Sequence, residues 1–598
     1  MLSERLSTLP GELLSFRPCP PARDRAGWAQ LPSSARERLL AAGEAEAQKP
    51  LAPLPLSLWL DFIRTGQRAE WEAACFSRRS RLCALAAAEC VEHQGRFLDE
   101  IASTVWAICE ESAWQLPAHN SYVRDTPQLP LPDTARPLID LFAAEAGALL
   151  ATVHYLLGSE LEAAYPGLAT RMEREVRARI LTPYLHDHFW WMGNGDEPMC
   201  NWTSWCTQNV LLCFFLLPNV SGEERQAAVR QAAYSLDCFL KDYGPDGCCN
   251  EGAQYYRHAG LTLWGALHIL SAAAPETFAT VFDEPKIKNI AEYILHVHVD
   301  GPYYLNFGDC SPLAGRCGAR EYLFAKAVGS PALAALAAAD FAADPDPDRL
   351  TAQDPSSRIN LWYRLLTAFT EAELRSCPQP AFPTPDVWYP SVGVFAARRG
   401  GWVLGAKMGS NGDSHNHNDT GSITVYKDGK PFLIDIGVES YTQKTFSPRR
   451  YEIWTMQSGW HNLPTFDGVM QLPGADYAAR DVRAGEGTIS AELSGAYPPI
   501  HGLTSYRRTA AVTAAGVTLN DETDWPGEVE LTLMTERQPQ PCEGGLSLDG
   551  LGVIHLDTPV EVSVQPVPVS DPRLRTAWPY TIWKISLYFY HHIHLTLS

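Results

Sequence analysis

With 598 residues the chain is too long for one compact core, so two or three domains are expected. An apolar fraction of 46% and a charged fraction of 20% are those of a globular protein and exclude a disordered one. The net charge of −21, from 48 basic and 69 acidic side chains, argues against nucleic acid or an anionic membrane surface as the main partner. The 18 Trp and 23 Tyr can stack on the apolar faces of sugars, but composition alone favours core filling.

The first residues, MLSERLSTLPGELLSF, show no continuous apolar stretch followed by a small-residue cleavage site, so no signal peptide is read. No uninterrupted apolar run reaches the length of a membrane span; LLCFFLLP at 211–218 is far too short. The 15 Cys form no C-x-x-C pair, and Cys83, Cys90, Cys109, Cys213 and Cys238 lie in apolar helical stretches. Buried free thiols in a reducing compartment, the cytoplasm, are the expectation.

From about 35 to 375 the pattern is helical. Apolar residues recur at three- and four-residue spacing over 136–158. Ser221 with Glu224 three residues on forms a capping-box pattern that opens a helix ending at Gly244. Further helices are predicted over 258–273, 285–297, 331–343 and 359–374, joined as antiparallel hairpins. A Pro-rich linker at 376–390 then gives way to short β-rich runs, among them 392–409, 421–437, 506–521, 528–536, 560–567 and 583–598. Asp428-Gly429 between two alternating runs is a strong hairpin signal. The reading is an all-α domain over 1–378, with residues 1–100 as its N-terminal helical portion, followed by an antiparallel β-sandwich over 379–598.

The densest polar cluster, G-S-N-G-D-S-H-N-H-N-D at 409–419, lies where the β domain begins. His415 and His417 are two apart, so in extended backbone both point to one side, one a metal ligand and the other a base. Asp435 ends the apolar run FLIDIG, where its charge is costly unless paired or metal-bound, and His461 follows in an aromatic-flanked turn. In the helical region Asn201 stands at a predicted helix start. Glu251, Tyr255, Tyr256 and Arg257 share a loop-to-helix junction, and Glu110, Glu111, Trp114 and His119 form a third group. Singly, each is more often a cap or a buried hydrogen-bonded group.

Five motifs in order, N-W-x-x-W-C at 201–206, D-G-x-x-x-E-G-x-x-Y-Y at 246–256, H-N-H-N-D at 415–419, I-D-x-G at 434–437 and H-N-x-x-x-x-D-G at 461–468, resemble the heparinase II/III-like polysaccharide lyases. The likeness runs from about residue 100 to the C-terminus. It implies an incomplete α/α toroid followed by an antiparallel β-sandwich, with a cleft between them. By position it makes Asn201 the contact to the substrate carboxyl, Tyr255 the catalytic tyrosine and His415 the catalytic histidine. His417, Asp435 and His461 match the ligands of a divalent metal, zinc above others, in a structural role. Glu110, Trp114, His119, Trp202, Glu251, Tyr256, Arg257 and Arg450 are the candidate substrate contacts, and Tyr256 is the alternative to Tyr255 if the loop shifts by one.

Such a lyase removes the C5 proton of a uronic acid and expels the O4-linked sugar. A donor must stabilise charge on the carboxyl group, a base must take the proton and an acid must protonate the leaving oxygen. Tyr255 serves as acid, or as base if a cation such as Arg257 or His415 lowers its pKa. The expected substrates are heparin, heparan sulfate or related glycosaminoglycan oligosaccharides, cut from one end, with alginate as the alternative. A rival reading is a toroid glycoside hydrolase with two facing carboxylates drawn from Glu110, Glu111, Asp246 and Glu251. A third is a sugar-binding protein without catalysis.

Overall fold

A computed structural model describes residues 1–349, 356–379, 384–557 and 560–598; residues 380–383 of the Pro-rich linker lie outside the described residues. The chain falls into two compact units. One comprises Met1–Tyr243, His258–Ile287 and Cys317–Pro380, and the other Gly244–Arg257, Lys288–Arg316 and Ala381–Ser598. The sequence reading draws one boundary at 378/379, whereas two segments from the helical region group with the sheets. Packing explains the second of them. Tyr304 ends a short hairpin and Leu305 follows it, and there Tyr426 donates to the Tyr304 carbonyl while Leu305 lies against Gly405. Such tertiary contacts leave no trace in composition.

The first unit is helical, and its helices begin where local chemistry dictates. Leu141–Ala164 starts after Asp140, whose carboxylate accepts from the backbone of Phe142 and Ala143, so the helix opens a turn later than the periodicity predicts. This helix is long and apolar enough to cross a membrane by length and composition, even though Glu145 interrupts its apolar run. In its most apolar window 83% of the residues are buried inside the unit, as in a core helix. Gly222–Asp242 carries the predicted capping box, Ser221 Oγ accepting from Glu224 N at 3.1 Å and Glu224 accepting from Ser221 N at 2.8 Å. Pro331–Ala343 and Leu361–Ser376 fall where expected, capped by Ser330 and Asn360. Trp28, Trp114, Trp191, Trp264 and Trp362 are fully buried, so much of the tryptophan fills cores. The five helical cysteines named above are buried as well.

The second unit is built of antiparallel sheets. An eight-stranded sheet runs in the order Arg480–Gly485, Thr488–Glu492, Tyr506–Thr513, Gly516–Thr523, His592–Leu597, Gly552–Leu556, Gly545–Leu548, Pro539–Cys542. A five-stranded sheet follows chain order from Val387–Tyr389 to Lys430–Leu433, and a four-stranded sheet is centred on Thr581–Phe589 and Val529–Thr535. Along Tyr506–Thr513 burial alternates residue by residue, the period-2 pattern of a strand with one face in the core. Phe395, Leu404, Val425, Phe432, Leu519, Leu531, Leu587 and Leu595 belong to one continuous core. Asp428 and Gly429 both take positive φ, 48° and 75°, the geometry of a tight type I′ hairpin.

One buried polar device in this core supports the loops above it. Arg508 pairs with both carboxylate oxygens of Asp521, at 2.8 and 2.7 Å, with neither side chain exposed. Its remaining donors reach the carbonyls of Gly421 and Asn462. Those residues adjoin the His415–Asp419 segment and His461, so a strand of the core holds both loops in register.

Candidate active site

The H-N-H-N-D segment lies in the loop between Ser410–Asn411 and Ile423–Lys427. It is not extended: His415 has φ 54°, in the left-handed region that a non-glycine residue occupies only at a cost of order 1 kcal/mol. The two imidazoles nevertheless reach one group, the carboxylate of Asp309. His415 Nδ1 lies 2.9 Å from Oδ2 and His417 Nε2 lies 3.1 Å from Oδ1. Arg450 donates to Oδ1 at 2.5 Å and Tyr441 donates to Oδ2 at 3.1 Å. Asp309 is fully buried. Burial opposes its charge, but the two histidines and Arg450 outweigh it and hold the carboxyl well below the usual range.

Tyr255 stands in the first turn of helix Gly252–Ala273, three residues after Gly252. Gly252 has φ 83°, and a Cβ there would come within 2.8 Å of Cys310 Cβ, so this junction requires glycine. The Tyr255 ring packs on His415 with centroids 5.1 Å apart and planes 26° from parallel. Its hydroxyl forms a short hydrogen bond with that of Tyr441. Asp309 can only accept, so Tyr441 gives it a proton and Tyr255 is then the donor to Tyr441. Burial pushes the Tyr255 phenol up to about 12, against the opposing field of Arg573. His415 Nε2 points toward Glu251, 3.8 Å away. Burial disfavours its charged form, but Asp309 and Glu251 prevail and raise its pKa.

His417, Asp435 and His461 are all buried, and one ligand atom from each lies within 4.8 Å of the others. His461 Nε2 faces the Thr455 carbonyl at 3.1 Å, so that nitrogen carries a hydrogen and Nδ1 points at Asp435 Oδ2, 2.8 Å away. His417 Nε2 likewise gives its hydrogen to Asp309. Its Nδ1 is buried and has no hydrogen-bond partner among the described residues. Asp435 lies just past strand Lys430–Leu433 and spends Oδ1 on the backbone of Gly437. His417 Nδ1, His461 Nδ1 and an Asp435 oxygen therefore converge, the first without a partner and the second sharing its hydrogen with Asp435, a hydrogen that a metal ion would displace. That donor set fits a divalent cation of borderline softness such as zinc.

Four candidates fare differently from expectation. Tyr256 is 0% exposed and donates to the Ala291 carbonyl at 3.0 Å, so it is a packing residue and the loop is not displaced by one. Arg257 donates to the carbonyls of Ala314 and Arg316, tying a loop; the cation whose field reaches Tyr255 is Arg573, stacked 4.3 Å over the Tyr441 ring. Arg450 is largely spent on Asp309, the Asn416 carbonyl and the Thr445 carbonyl, which makes it a clamp on the loop. Trp114, 2% exposed, donates its indole N–H to the Ile108 carbonyl under Arg179 and is a core residue.

The other candidates lie in the first unit. Asn201 is the first residue of helix Asn201–Leu216 and is 8% exposed. Trp202 packs against Trp190 and His119, at 5.0 and 4.7 Å between centroids, and Asp140 fixes His119 at 2.7 Å. Glu110 is half exposed and lies 3.7 Å from Arg171. Glu111 is buried between Arg78 and Arg79, and in the second unit Asp246 is held by Ser391. With these two carboxylates engaged structurally, the facing pair that a hydrolase needs is not assembled from them.

Residues 382–517 match the family model described as Heparinase II/III-like, C-terminal. Over that stretch, part of the sheet-rich unit, the chain is similar to the heparinase II/III-like C-terminal family. No curated protein matches the chain. Among solved structures it is similar to heparinase III (TM-score 0.58, 12% identity, 95% of this chain and 86% of that one). It is also similar to the heparan sulfate lyase of Pedobacter heparinus (0.52, 12%, 100% and 93%). A third likeness is to the chondroitin AC lyase of Streptomyces coelicolor A3, solved with chondroitin sulphate (0.50, 13%, 100% and 82%). At these identities the likeness establishes the fold, a helical α/α part followed by antiparallel sheets, as the motifs imply.

Asp309, Tyr441 and Arg573 are the site residues that sequence reasoning misses. Asp309 sits in N-F-G-D-C-S with no patterned neighbour, and Tyr441 and Arg573 come from irregular loops. No spacing rule connects them to His415.

Proposed function

We propose that this protein is a polysaccharide lyase that cleaves uronate-containing glycans by β-elimination, with glycosaminoglycan oligosaccharides cut from one end as its substrates. The observation that carries this reading is the stacked pair of Tyr255 and His415, with the phenol protonated and the imidazole backed by two carboxylates. His415 Nε2 takes the C5 proton. The C5–H electron pair becomes the C4=C5 double bond, the C4–O4 bond breaks, and Tyr255 gives its proton to O4. The imidazolium so formed lies between Asp309 and Glu251, which are already in place to stabilise it. Asn201 is assigned as donor to the carboxyl group on C5, where negative charge develops as the proton leaves. His417, Asp435 and His461 would hold a divalent cation, whose charge would pin the loop carrying His415.

The test is a screen of heparin, heparan sulfate, chondroitin sulfate and alginate, with their oligomers, read by ultraviolet absorbance. Elimination gives a conjugated, absorbing 4,5-unsaturated uronide, while hydrolysis gives new reducing ends without absorbance. New reducing ends alone, or intact polymers throughout, would refute the proposal. Products of one size from the earliest time points support cutting from the end; a ladder of sizes overturns that part.

A further inference from the structure

We infer that Asp309 is the positioning residue of this site, fixing the tautomer and direction of His415 and coupling it to the candidate metal ligand His417. The inference rests on the elimination chemistry proposed above. Every acceptor position of the carboxylate toward the site is in use. Oδ2 takes His415 Nδ1 and the Tyr441 hydroxyl, and Oδ1 takes His417 Nε2 and an Arg450 N–H. An ionised carboxylate only accepts, so each imidazole nitrogen facing it must carry hydrogen. The other nitrogen of each ring is thereby defined. His415 is left with Nε2 to exchange a proton, and His417 with Nδ1 as its ligand atom, the atom that lacks a partner. One buried group thus sets two tautomers at once, a task that imidazole chemistry requires and the motif residues cannot perform for themselves.

The backbone holds His415 in place as well. Asp309 N donates to the His415 carbonyl at 3.0 Å, and Gly308 N donates to Asp419 Oδ2 at 3.3 Å. Gly308 has φ 62°, and a Cβ on it would come within 2.6 Å of the His415 carbonyl oxygen. The two loops are therefore pressed together backbone to backbone. His415 is held in its left-handed conformation from main chain and side chain alike. Arg573 donates to the Asp309 carbonyl at 3.1 Å and closes the clamp from a third segment.

The test uses Asp309→Asn in the full-length protein as purified. The shape is kept, but the amide nitrogen must face one pair of donors, so one side of the clamp is lost. Elimination should fall on the order of 10²-fold in kcat with KM changed less than about threefold. In 15N-histidine NMR spectra, assigned with His415→Ala, His415 should shift from the Nδ1–H form toward the Nε2–H form, an effect a merely structural carboxylate would not produce. Asp309→Ala should show the same tautomer change, and Asp309→Glu should recover more turnover than Asp309→Ala. An unchanged tautomer in folded Asp309→Asn, or a loss confined to KM, overturns the inference. If the wild type eliminates no substrate, the proposed function fails while the tautomer measurement still decides the role of Asp309.

Discussion

At the scale of single residues, two adjacent tyrosines illustrate how one helix turn separates chemistry from packing. Tyr255 faces His415, and Tyr256 is sealed against Ala291 and Tyr293. Tyr255→Phe should cut elimination roughly 10²–10⁴-fold while leaving the melting temperature nearly unchanged. Tyr256→Phe should keep turnover within a fewfold and lose about 1 kcal/mol of stability with its buried hydrogen bond. The reverse pattern in rates would reassign the acid. Phe446 offers a second test. It is 59% exposed yet lies edge-on to His415 and Tyr441, with centroids 6.2 and 5.0 Å away. A large apolar ring left open beside the reacting groups is suited to stacking on a sugar face. Phe446→Ala should therefore raise KM severalfold with little effect on kcat; a fall in kcat at constant KM would show that it shapes the pair instead.

At the scale of elements, what the sequence discloses is what is decided locally. The Ser221–Glu224 box, the Asp428-Gly429 turn and the alternation in 506–513 each depend on residues within a few positions of one another, and each is seen in the structure. The residue types of His417, Asp435 and His461 suggest a metal set and the family resemblance groups them, but spacing does not fix their convergence, because three separate loops supply them. Asp309 is not legible at all, since a lone carboxylate beside Gly308 looks like any polar turn. Arg257 misleads for the same reason: it is two residues from Tyr255 in sequence, but its guanidinium turns to the 314–316 loop. The metal prediction belongs at this scale. Purified protein should carry about one divalent ion per chain, and chelation should lower the melting temperature by unpinning loops otherwise held by Arg508 and Asp309. His461→Ala should lose the ion and the chelator sensitivity together. Full activity and an unchanged melting curve in a metal-free preparation would reduce the three residues to a hydrogen-bonded cluster.

At the scale of the whole molecule, an excess of acidic groups makes stability depend on how each buried carboxylate is treated, and the first unit contains both kinds. Glu371, held by Arg38, Ser34 and Arg375, is depressed to about 2 despite its burial. Its stabilisation is present above the unfolded value near 4.5 and is lost as pH falls through about 2. Glu145 behaves oppositely. It is 2% exposed in the core helix Leu141–Ala164, and burial lifts its pKa to about 7 although Trp205 Nε1 and Asn360 Nδ2 donate to it at 2.7 and 2.8 Å. A group raised on folding contributes fully below its unfolded value near 4.5. That contribution is progressively lost as pH rises from there through about 7, by roughly 3 kcal/mol at most. Thermal stability should therefore peak in mildly acidic solution and decline toward pH 8.5. Glu145→Gln removes the ionisation but leaves one donor facing an amide nitrogen, so the variant should be less stable than wild type at pH 5. Its decline between pH 5 and 8.5 should be clearly shallower, so that the two melting curves converge or cross. Parallel declines for the two proteins, measured by calorimetry in matched buffers, would show that Glu145 stays protonated across this range or that the charge is relieved by water.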